Sequence, residues 1–214
     1  MLEKLRQEVF ECNLELPKYG LVVMTSGNVS GRDPETNLVV IKPSGVRYDR
    51  MKAQDLVILD LDNNIIEGDL KPSVDTESHL YIYRHRPDVF GVCHTHSTYA
   101  SVFAALGKPI PACLTATAML GGEIPVGDFI ALSEAAIGEE IIRKIGDKQA
   151  ILMQNHGVFT IGKDAFYATK MAIEVENVAR ITYFASLLGK PIVLNDEQVQ
   201  AFAHIYHDVY GQRS

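Results

Sequence analysis

The sequence predicts one α/β domain over residues 1–214, built on a central, mostly antiparallel sheet that is flanked by helices. Its length of 214 residues suits a single domain with a full hydrophobic core. Helix-like and strand-like apolar periods occur in mixed order, without the strict alternation of strand and helix that a parallel sheet requires. Glycine, proline, asparagine and aspartate separate the first strand-like runs, as in hairpins. These three observations favour the antiparallel α/β class.

Six helices are predicted along the chain. In the first, apolar residues from Leu2 to Leu16 recur at spacings of three and four, and Pro17 and Gly20 follow as end signals. The second begins near Ser73, a cap residue that is followed by acidic residues. The helices after the first are predicted at residues 75–84, 98–106, 133–146, 164–188 and 195–207.

Strands are predicted between these helices, where short runs are rich in valine, isoleucine and leucine. Two of the runs are separated only by an Asn-His-Gly break, which is typical of a turn. The predicted strands are residues 21–25, 37–42, 55–61, 89–97, 150–156 and 157–162.

Composition argues against several classes of partner. The formal net charge of -7 argues against nucleic acid as a partner, since binding a phosphate backbone requires a basic face. No apolar run approaches the roughly 20 residues that cross a bilayer, and the N-terminus lacks the pattern of a secretion signal. Three cysteines without a pairing pattern are typical of a reducing compartment. We therefore expect a cytoplasmic protein that binds neither nucleic acid nor membrane.

Two histidines in the stretch VCHTHS, His94 and His96, are two positions apart in a predicted strand. Residues i and i+2 of a strand share one face, so both imidazoles can converge on one ion. His156 follows another apolar run, and Asp75 or Glu77 can add an acid from the helix before the strand. Three imidazoles with a carboxylate or a water form the ligand set of a catalytic zinc ion. The pattern predicts a Zn²⁺ site, and the spacing alone does not choose between the two acids.

The remaining histidines are interpreted as structural. A single histidine on an apolar element is more often a hydrogen-bonded core residue than a metal ligand. This interpretation applies to His79, His85, His204 and His207.

Three short segments have the composition of phosphate-binding loops. They are TSGNVS at 25–30, KPSGV at 42–46 and KPSVDT at 71–76. Small residues allow backbone N–H groups to approach an oxyanion, and the third segment opens a helix, whose N-terminus favours anions. Each segment alone is an ordinary turn. Together they predict an anion site only if the fold brings them next to the metal.

The order of these motifs resembles that of the class II aldolase and L-ribulose-5-phosphate 4-epimerase family, which has the adducin-head fold. The motifs read SGN, KPSG, KPSVDTESH, HTHS, NHG and VYGQ, and they extend over nearly the whole chain. The resemblance implies that His94, His96 and His156 bind Zn²⁺. It also implies that Asp75 is the acid that transfers a proton and that can serve as a further ligand.

The resemblance implies substrate contacts and an assembly as well. The positions that match the family's phosphate-binding segments are Gly27, Asn28, Ser44, Gly45, Ser73 and Val74, with Lys42 as an additional charge. Tyr210 matches a C-terminal tyrosine that transfers protons. In the family this tyrosine reaches the site of a neighbouring subunit in a cyclic tetramer. We therefore expect a homotetramer with active sites at subunit interfaces and a phosphorylated ketose as substrate.

Departures from the family pattern guide the choice of reaction. The third phosphate segment usually has two serines, whereas here Val74 follows Ser73. Epimerases of the family carry an aspartate in the segment that corresponds to 110–125, and fuculose-phosphate aldolases place a tyrosine near Thr115; this chain has neither. An epimerase needs an acid–base group on each side of the aldehyde, so the missing aspartate favours an aldolase.

The expected reaction is cleavage of L-fuculose 1-phosphate into dihydroxyacetone phosphate and L-lactaldehyde. The first alternative is L-ribulose-5-phosphate 4-epimerase, which the identity of Asp75 and the VYGQ ending favour. A related decarboxylase or dehydratase acting on sugar-acid phosphates shares the zinc residues. A non-catalytic adducin-like binding module and a zinc hydrolase are the alternatives from other classes.

Overall fold

The computed structural model describes residues 2–131 and 134–206, and it confirms the predicted fold class. Its helices are α1 (Glu3–Lys18), α2 (Thr76–His85), α3 (Thr98–Ala105), α4 (Glu134–Ile145), α5 (Ala165–Leu188) and α6 (Asp196–His204). Its strands are β1 (Asn28–Arg32), β2 (Val39–Ile41), β3 (Val57–Leu59), β4 (Ile65–Glu67), β5 (Gly91–Thr95), β6 (Val126–Gly127), β7 (Ala150–Met153) and β8 (Gly157–Gly162).

The strands form one sheet in the order β4-β3-β2-β1-β5-β8-β7-β6. Every neighbouring pair is antiparallel except β6 with β7, which are parallel. Strand β5 lies between β1 and β8, with Asn28 opposite His94 and His94 opposite Phe159. This register places three residues from three strands side by side, at the position where the metal site was predicted.

Helices cover both faces of the sheet, and strand alternation determines which side chains each layer contacts. Helices α1 and α5 pack on one face, where Val29 and Cys93 belong to the core. Helices α2 and α4 pack on the other, where Val92 and Phe159 belong to the core. Since His94 shares the face of Val92, its imidazole lies on the side of α2.

The helix predictions agree closely with the structure. Each of the six predicted helices is present, and the ends of the first five are within about two residues of the expected ones wherever the chain is described. The predicted cap Ser133 and the predicted last residue of the final helix, His207, lie outside the described residues. In the described part of the chain, no helix has the length and apolar character needed to span a bilayer.

The predicted strand at 21–25 is wrong, and β1, β4 and β6 were not predicted. Positive φ angles of 58° at Met24, inside the apolar run, and of 74° at Gly27, just after it, interrupt the extended backbone. The strand begins only at NVSGR, a polar-looking segment in which every residue is buried. Strand β4 is a short edge strand with largely exposed side chains, so its sequence carries little alternation.

Candidate metal centre and anion pocket

Three imidazoles converge at one end of the central strands. His94 is the fourth residue of β5, His96 follows the end of that strand, and His156 lies in the turn between β7 and β8. One ligand nitrogen from each lies within 4.8 Å of the others. Asn155, just before the third histidine, has a φ of 57°, a left-handed turn that asparagine tolerates well. The predicted three-histidine group is therefore assembled in space.

The ring of His94 is held in one orientation. Its Nδ1 lies 2.9 Å from the carbonyl oxygen of Val158, and because a carbonyl only accepts, Nδ1 must donate. The lone pair is then on Nε2, which lies 3.0 Å from Nε2 of His96. The ring also stacks on Phe159, with centroids 4.2 Å apart and planes 19° from parallel. A backbone partner that fixes the tautomer is the usual support of a metal-binding histidine.

The electrostatic setting favours neutral imidazoles. Burial lowers the pKa of His94 far below that of a free histidine, and it also lowers the pKa values of His96 and His156. His156 lowers the pKa of His96 further by charge repulsion. Neutral imidazole is the form that binds metal ions, so the donor set fits Zn²⁺.

Close packing explains why a glycine, Gly157, follows the third histidine. A Cβ atom there would lie 2.4 Å from the carbonyl oxygen of Thr95 and 2.7 Å from Cδ2 of His96. Neither the backbone nor the ring can yield without moving the ligands. The NHG motif thus combines a left-handed turn, a ligand and a close backbone approach.

Asp75 lies at the start of α2 and shares a cavity with His96 and His156. Its Oδ2 accepts a hydrogen bond of 2.7 Å from Nδ2 of Asn28. Burial raises the pKa of its carboxyl group, but the attraction of His94 and His79, together with the Asn28 hydrogen bond, outweighs burial and lowers the pKa overall. Among the described residues, only the three histidines form a group whose ligand atoms lie within 4.8 Å of one another. Asp75 therefore lies next to this cluster and is not a member of it.

Glu77, the other acid that spacing allowed, is directed elsewhere. Its carboxylate forms an ion pair with Arg84. It is absent from the lining of the cavity that contains the histidines. The structure therefore assigns the acid of the site to Asp75.

The three predicted anion segments meet in a cavity of about 310 Å³ next to the histidines. Two of them lie side by side, because Ser44 N donates to Lys71 O at 2.9 Å and Ser73 N donates to Lys42 O at 3.0 Å. The predicted residues that line the cavity are Gly27, Asn28, Lys42, Ser44, Gly45, Ser73, Val74, Asp75, His96 and His156. The condition set by the sequence, that the segments lie beside the metal residues, is met.

Several donors in this cavity are free to bind an anion. The backbone N–H groups of Gly45 and Val74 have no acceptor among the described residues. Val74 therefore offers its amide although it lacks the hydroxyl of the usual second serine. The side-chain amide of Asn28 is engaged differently, because its Nδ2 donates to Ser73 Oγ at 2.9 Å and to Asp75. In this arrangement Asn28 orients the acid.

Lys42 lies at the back of the cavity and is only 2 % exposed. Its Nζ donates to the carbonyl oxygen of Thr25 at 3.0 Å and lies 4.8 Å from the ring centre of Tyr48. Burial lowers the pKa of its ammonium group to about 8, against a smaller raising effect of Asp75. A buried ammonium with a donor to spare is a strong anion contact.

The segment that departs from the family pattern is separate from this cavity. Residues Thr115–Leu120 form a 3-10 helix, and the hydroxyl of Thr115 lies 3.5 Å from that of Tyr206. Neither residue lines the cavity. Tyr210, predicted to transfer protons, lies outside the described residues.

The fold and the site define the class of protein: an α/β domain with a three-histidine group that can hold a metal beside an anion pocket. The profile of the family described as "Class II Aldolase and Adducin N-terminal domain" matches residues 7–183. The chain belongs to this family, as the order of its motifs indicated.

Solved structures support the same assignment. A structure of L-fuculose 1-phosphate aldolase superposes with a TM-score of 0.91 at 30% identity, covering 95% of this chain and 96% of that one. The aldolase of the same name from Glaciozyma antarctica gives 0.81 at 24% identity, covering 94% and 80%. The enzyme from Thermus Thermophilus gives 0.75 at 24% identity, covering 87% and 98%. The last two similarities bear on the fold alone.

Proposed function

We propose that this protein is a Zn²⁺-dependent class II aldolase that cleaves L-fuculose 1-phosphate into dihydroxyacetone phosphate and L-lactaldehyde. The observation that carries the proposal is the position of the three-histidine group, which opens into a cavity with unpaired N–H donors and a buried ammonium. A ketose phosphate has the two matching parts, a phosphate for the donors and a ketone with a neighbouring hydroxyl for the metal. The similarity to a fuculose-phosphate aldolase at 30% identity supports this choice of sugar.

Metal chemistry would be supplied by Zn²⁺ held by His94, His96 and His156, as a Lewis acid for the negative charge that develops when the carbon–carbon bond breaks. The protein's own groups do the rest. The amides of Gly45 and Val74 would bind the phosphate, with the ammonium group of Lys42 as a further donor. A phosphate bound there holds the substrate at a fixed distance from the imidazoles, and this orients the substrate for the reaction.

Two side chains are assigned to proton transfer. Asp75 would take up a proton from solvent and pass it to the carbon that loses the aldehyde, because its carboxylate faces the cavity and Asn28 holds only one of its oxygens. Tyr210 would accept the proton of the C4 hydroxyl during cleavage. Its assignment rests on the family motif.

We also propose that the protein is a homotetramer whose active sites lie at subunit interfaces. Large apolar side chains are exposed towards the end of α5 and just beyond it, as expected of a surface that a second copy covers. They are Ile181, Phe184, Leu187, Leu188 and Ile192. The described cavity contains no tyrosine, so a tyrosine from a neighbour would complete it.

An assay of purified, zinc-loaded protein on separate ketose phosphates tests the reaction. Release of dihydroxyacetone phosphate from L-fuculose 1-phosphate is the expected result. The alternative, L-ribulose-5-phosphate 4-epimerase, is favoured by the short acid Asp75 that Asn28 orients. Formation of D-xylulose 5-phosphate from L-ribulose 5-phosphate, without cleavage of fuculose 1-phosphate, would establish the epimerase instead.

A further inference from the structure

A buried histidine behind the site has an unsatisfied nitrogen. The side chain of His79 on α2 is 0% exposed, and its Nε2 has no hydrogen-bond partner among the described residues. A polar atom that is buried without a partner destabilises the fold, so such atoms are rare and usually have a water or a ligand beside them. The sequence predicted a hydrogen-bonded core histidine at this position. The prediction is half confirmed, because Nδ1 has a hydrogen-bond partner and Nε2 has none among the described residues.

The other ring nitrogen ends a chain of hydroxyl groups. Nδ1 of His79 lies 2.7 Å from Oγ of Ser30, which lies 2.8 Å from the hydroxyl of Tyr83. A phenol is a stronger acid than a serine hydroxyl and therefore the better donor, so we assign the order of donation as Tyr83, Ser30, then Nδ1. In that order the imidazole carries its proton on Nε2.

A matching acceptor lies on the same face of the sheet. Asn28 and Ser30 are two positions apart on β1 and point to one side. The Oδ1 of Asn28 is buried without a partner, while its Nδ2 is used by Asp75. His79 follows Asp75 by one helical turn, and its backbone N–H donates to the Asp75 carbonyl at 3.2 Å. A buried donor and a buried acceptor therefore flank the acid.

We propose that His79 is a positioning residue for Asp75, acting through one ordered water that accepts from Nε2–H and donates to Asn28 Oδ1 and the Asp75 carboxylate. Three polar partners are the usual number for a buried water. The hydroxyl chain fixes the imidazole tautomer, and the water fixes the carboxylate oxygen that Asn28 leaves free. The proposal depends on the proposed function only for the role of Asp75 as proton donor.

The direct test needs no substrate. A high-resolution crystal structure of the zinc-loaded protein should show a water between His79 Nε2 and Asn28 Oδ1. Nitrogen-15 NMR should find the Nε2–H tautomer at His79, with the resonance assigned by its loss in His79→Gln. A proton on Nδ1, or a crystal structure without that water, would overturn the proposal.

A pair of variants tests the consequence for turnover. His79→Phe keeps a ring against Phe159 but removes the donor, and we expect kcat to fall about 10–100-fold with KM and zinc content unchanged. His79→Gln places an N–H near the position of Nε2 and should recover most of kcat. A purely structural role would instead lower the melting temperature in both variants without rescue of kcat by glutamine, and that outcome would reject a positioning role.

The two proposals fail in distinguishable ways. If the wild-type protein cleaves no ketose phosphate, the proposed function is wrong, while the tautomer and the water still decide the arrangement around Asp75. If the wild type is active and His79→Phe has the same kcat, the proposed function stands and the positioning role is rejected.

Discussion

The two sides of the candidate active site are built differently. The metal and anion side rests on β1, β5 and the β7–β8 turn, and its side chains are held by several contacts each; His94, for example, has a backbone acceptor and an aromatic platform. The family pattern assigns the opposite side to Tyr210 and to the segment around Thr115, and this segment does not line the described cavity. In this segment the contact of Thr115 with Tyr206 spans 3.5 Å between exposed hydroxyl groups.

This difference indicates where the family's shared chemistry ends and its specificity begins. Residues on strands keep their geometry because the ladder and the core fix them, which suits an electrophile and its acid. Loops and termini tolerate change and commonly determine which substrate is accepted. The metal side should therefore respond to substitution with large losses of turnover, and the opposite side with smaller and more selective ones.

The largest effect is expected on the metal side, for His96→Ala. Losing one of three imidazoles should weaken zinc binding by roughly a thousand-fold or more and abolish turnover. Zinc content after dialysis, measured by atomic absorption, checks this outcome. The matched control is His85→Ala, which removes an exposed histidine that is stacked on Tyr81. Full zinc content in His96→Ala would remove this residue from the ligand set.

Asp75→Asn should have the next largest effect. The amide keeps the size of the side chain but cannot deliver a proton, so kcat should fall about 10²–10⁴-fold while zinc content stays close to that of the wild type. Glu77→Gln is the control, because that acid pairs with Arg84 outside the cavity. A protein that loses its zinc together with this one carboxylate would show that Asp75 is primarily a ligand.

The strand-based side was also the more predictable from sequence. Residues spaced like His94 and His96 point to the same face of a strand, so their spacing alone predicts that the two side chains converge. The choice between Asp75 and Glu77 could not be made in the same way, because it depends on where α2 begins and on the amide of Asn28. That amide belongs to β1, a strand that was not predicted because its sequence, NVSGR, looks polar.

Other features of the site follow only from three-dimensional neighbours. The apolar run at 21–25 has the composition of a strand, and the left-handed residue Met24 ends its extension. The requirement for glycine at position 157 comes from a carbonyl of β5, more than 60 residues earlier in the chain. The orphan nitrogen of His79 is visible only when its partners are known. Residue spacing carries no information on such contacts.

Tyr210→Phe is a test of the other side of the comparison. If a tyrosine accepts the C4 hydroxyl proton, we expect kcat to fall about 100-fold and KM to change little, since the phosphate contacts are intact. Mixing this variant with Asp75→Asn provides a sharper version. Should the tyrosine act in a neighbouring subunit, mixed tetramers would contain some complete sites and regain activity. Two inactive variants that stay inactive after subunit exchange would place both residues in the same subunit's site.

The smallest of these effects is expected at the boundary between the two sides, for Lys42→Met. Burial lowers the pKa of Lys42 to about 8, so its ammonium group is charged below that pH and loses its charge above it. If the charge binds phosphate, KM of the wild type should be lowest below pH 8 and rise about tenfold as the pH passes this value. The methionine variant should have the higher KM throughout and lack this step, because no proton is lost.

Lys52→Met, at an exposed position, should retain the wild-type profile. An unchanged step in Lys42→Met would assign the pH dependence to another group and leave the backbone amides as the main phosphate contacts.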